Sequence, residues 1–357
     1  MESSTEALTR VDHRKLRRLL VASFEKFDVP RSDAEVAANA LVMADLRGVD
    51  THGVIRFNPQ SWYIKWLSEG SMKAKPDIKI ISETASSALL DGDRGIGMVI
   101  GHRAMDLAIR KAKESGVAMV GVRNSRHFGM SANYAMQALS HDMIGIAMTN
   151  ASRQVVPTFG RESRFGTNPM CFAVPADKEL PFVLDMATTT AAAGKLELAA
   201  RLGKAVPLGW ALNQDAEQTT DPRIAQKARR LLPLGGSREG GSHKGYGLAI
   251  LVEILCGVLT GTTTALNADQ DPRGHFFGAL CIDSFRPADE FKKDMDRLIR
   301  ELKSTPPIEG QERVYVAGEI EFETAQERAE HGIPLHSSVV KGLREVSEQL
   351  SVPYDLE

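Results

Sequence analysis

The stretch ALLDGDRGIGMVIG at residues 88–101 decides the fold class, because it joins a predicted strand to a predicted helix through a glycine-rich turn. A Rossmann nucleotide-binding unit carries the pattern GxGxxG at such a turn and an acidic residue at the end of the next strand. Here Gly95, Gly97 and Gly101 form the pattern GxGxxxG, and Arg123 stands where the acidic residue is expected. The stretch therefore argues against a Rossmann fold.

Short β-rich runs surround this stretch between residues 76 and 285. Runs of β-branched and aliphatic residues bounded by turn residues predict strands, and they fall at residues 78–81, 88–91, 117–122, 144–149, 170–174, 182–185 and 278–282. Apolar residues with helical spacing predict helices at residues 101–114, 130–140, 190–201 and 245–259. This part of the chain is predicted to be one β-rich domain.

The two ends of the chain have a helical pattern instead. Residues 13–27 form one amphipathic helix, and Pro30 then breaks the pattern before a second helix that we expect Ser32 to cap. The charged segments 287–303 and 336–350 resemble these helices in character. We therefore predict an α+β protein in which the segments 1–75 and 286–357 pack together beside the domain formed by 76–285.

Composition excludes several classes of partner. The chain has 357 residues, 44 basic and 46 acidic, so no basic excess favours nucleic acid or an anionic membrane. Three widely spaced cysteines are typical of a reducing cytosol. The first twenty residues lack the apolar core of a signal peptide, and the longest apolar run, 248–259, is too short to cross a bilayer. We expect a soluble, cytoplasmic protein.

The first candidate site is the stretch DTHGVIR at residues 50–56. If a helix restarts after Gly53, Arg56 lies one turn from His52 and both side chains reach one face. Arginine can bind a carboxylate bidentately while histidine protonates a neighbouring oxygen, so this pair suits a keto acid. The alternative is a histidine that only caps a helix or fills the core.

The second candidate is the stretch RNSRHFG at residues 123–129, which follows a predicted strand. Polar residues at such a point are often functional, because the sheet fixes their positions. His127 is therefore a candidate proton carrier or substrate ligand. The alternative is a histidine that bonds only to nearby backbone.

The third candidate is the glycine-rich loop at residues 235–247, which leads into an apolar helix. Such a loop can hold an anion at the helix N-terminus, and Lys244 adds a positive charge there. A cofactor phosphate is the functional interpretation, and a merely flexible loop is the alternative. The histidines, His331 and His336 included, show no metal-binding spacing, so we expect no metal.

Taken together, several stretches resemble the malate/L-lactate dehydrogenase family of the second type. That family includes ureidoglycolate, sulfolactate and diketogulonate enzymes and the piperideine-2-carboxylate/pyrroline-2-carboxylate reductases. The matching stretches run in order along nearly the whole chain: ADLRGVDTHGVIRF (44–57), VRNSRHFG (122–129), GTNPMCFAVPA (166–176), PFVLDMATT (181–189), GKLELAARLGKAVPLGWAL (194–212), LPLGG (232–236), HKGYGLAILVEILCGVLTG (243–261), GHFFGAL (274–280) and VAGEIEFETAQER (316–328).

The resemblance implies a homodimer that binds NADH or NADPH in the β-rich domain in a non-Rossmann manner, with the active site in a cleft. It implies His52 as proton donor, Arg56 as carboxylate ligand, Thr51 beside the substrate, and His127 as an alternative acid or base. Asp185 would orient a histidine. The positions where the family holds its cofactor are Ser152, Asp185, Met186, Ala187, His243, Lys244, Gly318 and Glu319.

Two departures from the family pattern concern the substrate. Thr51 stands where serine is common, and the stretch from Thr262 to Arg273 looks shorter than the usual loop. We expect hydride transfer between the nicotinamide and C2 of a small 2-keto or 2-hydroxy acid. The alternatives are reduction of a cyclic or N-alkyl imino acid, and a binding protein that has lost catalysis. The choice between NADH and NADPH stays open.

Overall fold

A computed structural model describes residues 8–262 and 273–356 of the chain. Its strands are Leu8–Val11 (β1), Lys79–Glu83 (β2), Ser87–Asp91 (β3), Val117–Ser125 (β4), Met143–Thr149 (β5), Met170–Val174 (β6), Phe182–Met186 (β7), Arg273–Cys281 (β8) and Ile333–His336 (β9). Most of the stretch from Thr262 to Arg273 lies outside the described residues.

The helices alternate with these strands along the chain. They are His13–Glu25 (α1), Arg31–Leu46 (α2), Trp62–Ser68 (α3), Gly97–Ser115 (α4), Ala132–Ala135 (α5), Ala193–Arg201 (α6), Pro222–Ala228 (α7), Ser242–Glu253 (α8), Ala288–Lys303 (α9), Glu319–His331 (α10) and Ser337–Leu350 (α11). A π-helical turn, Ile254–Val258, continues α8. None of the helices in the described ranges is long and apolar enough to span a membrane.

Seven strands form one sheet in the order β2-β3-β4-β8-β5-β6-β7. Within the described residues β3 and β4 pair in parallel, with α4 connecting them, and the other neighbours pair antiparallel. The central strands β4 and β8 are buried, and small or branched side chains such as Ala118, Val120 and Ala279 let α4 pack closely on them.

The glycines of the 88–101 stretch serve close packing. A Cβ on Gly97 would lie 2.1 Å from the carbonyl oxygen of Arg126 and 2.4 Å from that of His127. A Cβ on Gly101 would lie 2.8 Å from the ring of Tyr134. The N-terminus of α4 is therefore covered by the backbone that follows β4.

The two ends of the chain pack together into a second core. Asp12 caps α1, whose apolar face buries Leu16, Leu20 and Phe24. The same cluster includes Leu343 and Val346 of α11. Strands β1 and β9, from opposite ends of the chain, pair antiparallel and tie these helices together.

Several local features differ from the prediction, among them the absence of β1, β9 and α7 from the predicted elements. Helix α2 begins directly after Pro30, so Ser32 lies in its first turn instead of capping it. Proline fits the N-terminal end of a helix, and no side-chain cap forms there. Strand β8 begins at Arg273, five residues before the predicted start at Gly278. The additional residues include aromatic side chains and are largely buried, which favours a strand. Helix α10 was not predicted, because its sequence EIEFETAQERAEH has few apolar residues to show a helical period.

We predict that Gly97→Ala destabilises the fold, because the added methyl has no room against two backbone carbonyls. Overpacking of this kind costs about 1–3 kcal/mol in the free energy of unfolding. Chemical denaturation measures the loss. Gly247→Ala is the matched control, because no atom lies within 4 Å of its Cβ position; equal stability of the two variants would contradict the packing account.

Candidate active site

A pocket of about 1240 Å³ lies between the helical ends and the sheet. Its walls come from the turn after α2, the segment before α5, the end of β7, the first turns of α6, the strap at residues 315–321 and strand β9. The strap follows the edge of the sheet, since the Val183 N–H donates to the Ala317 carbonyl at 2.9 Å. The pocket therefore joins elements that are far apart in sequence.

The turn after α2 consists of two 3-10 turns, Asp50–His52 and Val54–Arg56, instead of the restarted α-helix that the sequence suggested. The buried Asp45 carboxylate accepts the Val54 N–H at 2.8 Å. A Cβ on Gly53 would lie 1.8 Å from Asp45 Oδ1, so only glycine fits there. This contact fixes the path of the turn.

Although no α-helix restarts after Gly53, the turn places both His52 and Arg56 in the lining of the pocket. Arg56 Nε donates to the Thr51 carbonyl at 2.7 Å, and the guanidinium lies 5.1 Å from the Trp62 ring. The Thr51 hydroxyl lies 3.0 Å from His52 Nδ1. No carboxylate of the described chain forms an ion pair with Arg56, so its positive charge faces the pocket uncompensated.

His127 lies directly beside this part of the pocket. Its ring stacks on that of His52 with centroids 5.7 Å apart and planes at 16°. Its Nδ1 lies 2.7 Å from the hydroxyl of Tyr63, a fully buried residue of α3. The structure therefore brings together two histidines that sequence analysis found in separate stretches.

Both histidines are neutral near pH 7. Burial and, next, the nearby Arg56 charge lower the pKa of His52 to about 4. Burial also lowers the pKa of His127 well below its ordinary value, and the neighbouring His52, Arg273, Arg56 and His275 act in the same direction. A neutral imidazole has one N–H that can donate a hydrogen bond and one lone pair that can accept one.

Asp185 also lines the pocket, at the end of β7. It accepts the Ala132 N–H at 2.7 Å. The carboxylate opens into the pocket but is surrounded by protein, and this desolvation raises its pKa to about 6, against the opposing effects of that hydrogen bond and of Arg47. Met186, Ala187 and Gly318 line the same region.

The other predicted cofactor residues lie away from this pocket. Ser152 lines a separate cavity of about 430 Å³ with Arg153 and Arg229. His243 and Lys244 lie exposed on the first turn of α8, and His243 Nδ1 is 3.0 Å from Arg238. Glu319 belongs to the strap, but its side chain is buried, does not line the pocket and forms an ion pair with Lys303 at 2.9 Å.

Three residues of the pocket region could not be singled out from the sequence. Asp45 fixes the turn after α2, Tyr63 bonds to His127, and Arg47 lines the pocket with only 3% of its surface exposed. Arg47 stacks 4.3 Å from the Phe322 ring, and its buried Nε has no hydrogen-bond partner. Asp45 and Arg47 stood in the quoted 44–57 stretch, but their burial becomes visible only in the fold.

A metal site is not found among the described residues, where no three His, Cys, Asp or Glu side chains group around a common point. The polar groups of the pocket are instead histidines, an unpaired arginine and a carboxylate at separate points of its walls. This set suits an organic acid and an organic cofactor better than an ion.

Known proteins share this architecture. The profile of the malate/L-lactate dehydrogenase family matches residues 11–344. Malate dehydrogenase of Pyrococcus horikoshii is 42% identical in an alignment of 353 positions that covers 97% of each chain. The structure of malate dehydrogenase from Entamoeba histolytica superposes with a TM-score of 0.93 at 35% identity, covering 97% of this chain and 99% of that one.

A reductase of imino acids is also structurally similar. The delta1-piperideine-2-carboxylate reductase from Pseudomonas syringae superposes with a TM-score of 0.83 at 27% identity, covering 95% of this chain and 99% of that one. Dehydrogenases of hydroxy acids and a reductase of a cyclic imino acid therefore share one fold with this chain.

We predict that Asp45→Ala lowers the free energy of unfolding by about 1–3 kcal/mol, because it leaves the buried Val54 N–H without an acceptor. Asp45→Asn is the matched control, since its amide oxygen can still accept that hydrogen bond, and it should lose less. Chemical denaturation at pH 7 compares the two variants. Equal losses would show that the hydrogen bond does not stabilise the turn.

Proposed function

The chain belongs to the malate/L-lactate dehydrogenase family, and we propose that it transfers a hydride between a nicotinamide cofactor and C2 of a small 2-hydroxy or 2-keto acid. The observation that carries the proposal is the arrangement of His52 and Arg56. An unpaired guanidinium and a neutral imidazole, four residues apart, face one pocket. This is the pair of groups that a 2-keto acid requires for binding and proton transfer.

Arg56 is the carboxylate ligand in this proposal. Its Nε is occupied by the Thr51 carbonyl, which orients the guanidinium, and its two terminal nitrogens have no partner among the described residues. Two parallel N–H groups match the two oxygens of a carboxylate. The Trp62 ring packs against one side of the guanidinium in a cation–π contact.

His52 carries the proton in this proposal. Because its pKa is about 4, the free enzyme presents a neutral imidazole that can take the proton from a substrate hydroxyl. A bound carboxylate would offset the Arg56 charge, which is the second cause of the low pKa. Substrate binding therefore favours the imidazolium, and the same group can return the proton when a keto acid is reduced.

The pocket has room for a cofactor as well as a small acid. At about 1240 Å³ it exceeds the usual volume of a site for one small molecule. The Asp185 carboxylate, which opens into the pocket, offers a hydrogen-bond acceptor to a second ligand. When bound, a nicotinamide supplies or accepts the hydride. Either NADH or NADPH satisfies this proposal.

Contacts with the cofactor are assigned to two regions. Asp185, Met186, Ala187 and Gly318 line the pocket and would hold the end that reacts. Ser152, His243, Lys244 and Glu319 lie outside it, so they can contribute only if the cofactor extends past the pocket. The exposed Lys244 at the start of α8 would then face a phosphate.

We propose that this binding does not use a Rossmann site. In such a site a pyrophosphate sits on the N-terminus of the helix after the first strand. Here two carbonyl oxygens, those of Arg126 and His127, cover that end of α4. Carbonyl oxygens repel a phosphate, and the sheet holds one parallel pair among its described strands.

We also propose that the protein is a homodimer. Apolar side chains lie exposed along α8 and its π-helical continuation, among them Leu251 at 43%, Ile254 at 47% and Val258 at 64%. Their spacing places them on one face of the helix. Contiguous exposed apolar surface of this kind is typical of a protein interface, and a second copy would cover it.

An imino acid is the second candidate substrate, favoured by the similarity to the piperideine-2-carboxylate reductase. It has the same carboxylate next to the same reacting carbon, with nitrogen in place of oxygen.

A panel of 2-keto acids, with and without methylamine, and of cyclic imines separates the two candidates when each cofactor's absorbance is followed. If no compound of this panel were turned over with either cofactor, the proposed function would be wrong.

We predict that His52→Ala lowers kcat on the preferred substrate by about 100-fold or more, the scale for losing a general acid or base. The variant should fold normally, as circular dichroism and thermal melting would show. His331→Ala, an exposed histidine outside the pocket, should leave kcat unchanged. If His52→Ala stays within a few-fold of wild type while His127→Ala abolishes activity, the proton carrier is His127.

We predict that Arg56→Lys lowers kcat/KM by about 10- to 100-fold through a higher KM, because a lysine offers a point charge where arginine offers a fork. Cofactor affinity, measured by calorimetry, should change little. The methyl ester of the substrate provides the matched comparison on the wild-type enzyme. If the ester were reduced as well as the free acid, a carboxylate would not be what Arg56 binds.

A further inference from the structure

Tyr63 is buried next to the proposed catalytic histidines. Its side chain is fully buried on α3, and its hydroxyl lies 2.7 Å from His127 Nδ1. That nitrogen is the one partner of the hydroxyl among the described residues. The distance is short enough for a strong hydrogen bond, so one of the two groups must donate to the other.

The surroundings decide which group donates. If His127 Nδ1 carried the proton, the tyrosine hydrogen would point into the core without an acceptor, and buried donors are rarely left unpaired. If Tyr63 donates, its hydrogen and the Nδ1 lone pair of His127 are both satisfied by one bond. The imidazole then has its lone pair on Nδ1 and, when neutral, its hydrogen on Nε2.

Nε2 of His127 is the free end of the ring. It has no hydrogen-bond partner among the described residues. Unlike the buried atoms that lack a partner, it is accessible to solvent. The ring is held in place by the His52 ring at 5.7 Å on its face and by the Trp62 ring at 5.9 Å in an edge contact. An N–H on Nε2 is thus fixed in direction and available.

We propose that Tyr63 is a positioning residue: it holds His127 in the Nε2–H tautomer, so that His127 donates a hydrogen bond to the reacting oxygen or nitrogen of the substrate. The inference rests on the proposed function and adds a division of roles to it. His52 moves the proton, and His127 polarises the bond that gains or loses the hydride. A neutral histidine in such a role is a known way to stabilise a developing negative charge.

The charges around His127 keep it in this role. The groups facing it are Arg56, Arg273, His52 and His275, and each disfavours a second proton on the ring. With Nδ1 occupied by Tyr63 and Nε2 already protonated, the neutral ring has no lone pair with which to take a proton from the substrate. Proton uptake is left to His52, whose Nε2 has no partner among the described residues.

Nitrogen NMR of the free enzyme tests the tautomer directly. In protein labelled with ¹⁵N-histidine, the His127 signals, identified by their loss in His127→Gln, should show a proton-bearing Nε2 and a hydrogen-bonded, unprotonated Nδ1. In Tyr63→Phe the Nδ1 signal should move as its donor is lost. A proton on Nδ1 of His127 in the wild-type enzyme would overturn the proposal, even if Tyr63→Phe failed to fold.

Kinetics separate positioning from stability. Tyr63→Phe should lower kcat by about tenfold, because the freed ring can turn away from the substrate, and leave KM for the cofactor within about twofold. Tyr134→Phe is the matched control: Tyr134 is equally buried and donates to the Phe128 carbonyl, so this variant should lose stability but keep kcat. An unchanged kcat in Tyr63→Phe would overturn the proposal.

The two measurements also separate this inference from the proposed function. The tautomer is read without any substrate, so its result stands even if no 2-keto acid or imine is reduced. A normal reductase whose His127 carries its proton on Nδ1 would overturn the inference alone.

Discussion

The hydrogen bond from the Val54 N–H to the buried Asp45 carboxylate is the contact on which the pocket depends. It folds the turn after α2 back onto the helix, and glycine at position 53 lets the two meet. Arg328 of α10 donates to the Asp45 carbonyl and to the Asp50 carboxylate, so the C-terminal helices hold the same turn from the other side. The packing of the two chain ends is therefore part of how the site is built.

The pocket holds groups of opposite electrostatic character. The turn after α2 presents Arg56, an unpaired cation beside a neutral imidazole, and the end of β7 presents Asp185, a carboxylate whose pKa is raised to about 6. Desolvation by the surrounding protein is the main cause of both pKa shifts, although the Asp185 side chain stays open to the pocket. Among the described residues no carboxylate neutralises the charge of Arg56, so a substrate anion can do so. The pocket therefore favours acids over neutral molecules of the same size.

Sequence alone predicted the parts of this picture that are local. Strands such as Met170–Val174 have apolar side chains in unbroken runs, and His52 and Arg56 are close enough in sequence for one turn to bring them together. Tyr63 could not be predicted, because its partner His127 is 64 residues away and nothing in the α3 sequence marks a buried hydroxyl. The position of Lys244 outside the pocket likewise depends on how α8 packs, which no local pattern records.

The pairing of β1 with β9 has a consequence for motion. Each strand has four residues, and a two-stranded ribbon of that size is only marginally stable on its own. Leu8 of β1 and Leu335 of β9 also line the pocket, so a ligand there touches the ribbon that closes the two ends of the fold. Opening of the ribbon and release of a ligand are then thermodynamically linked, and the amide hydrogens of β1 and β9 should exchange with solvent more slowly in the loaded enzyme.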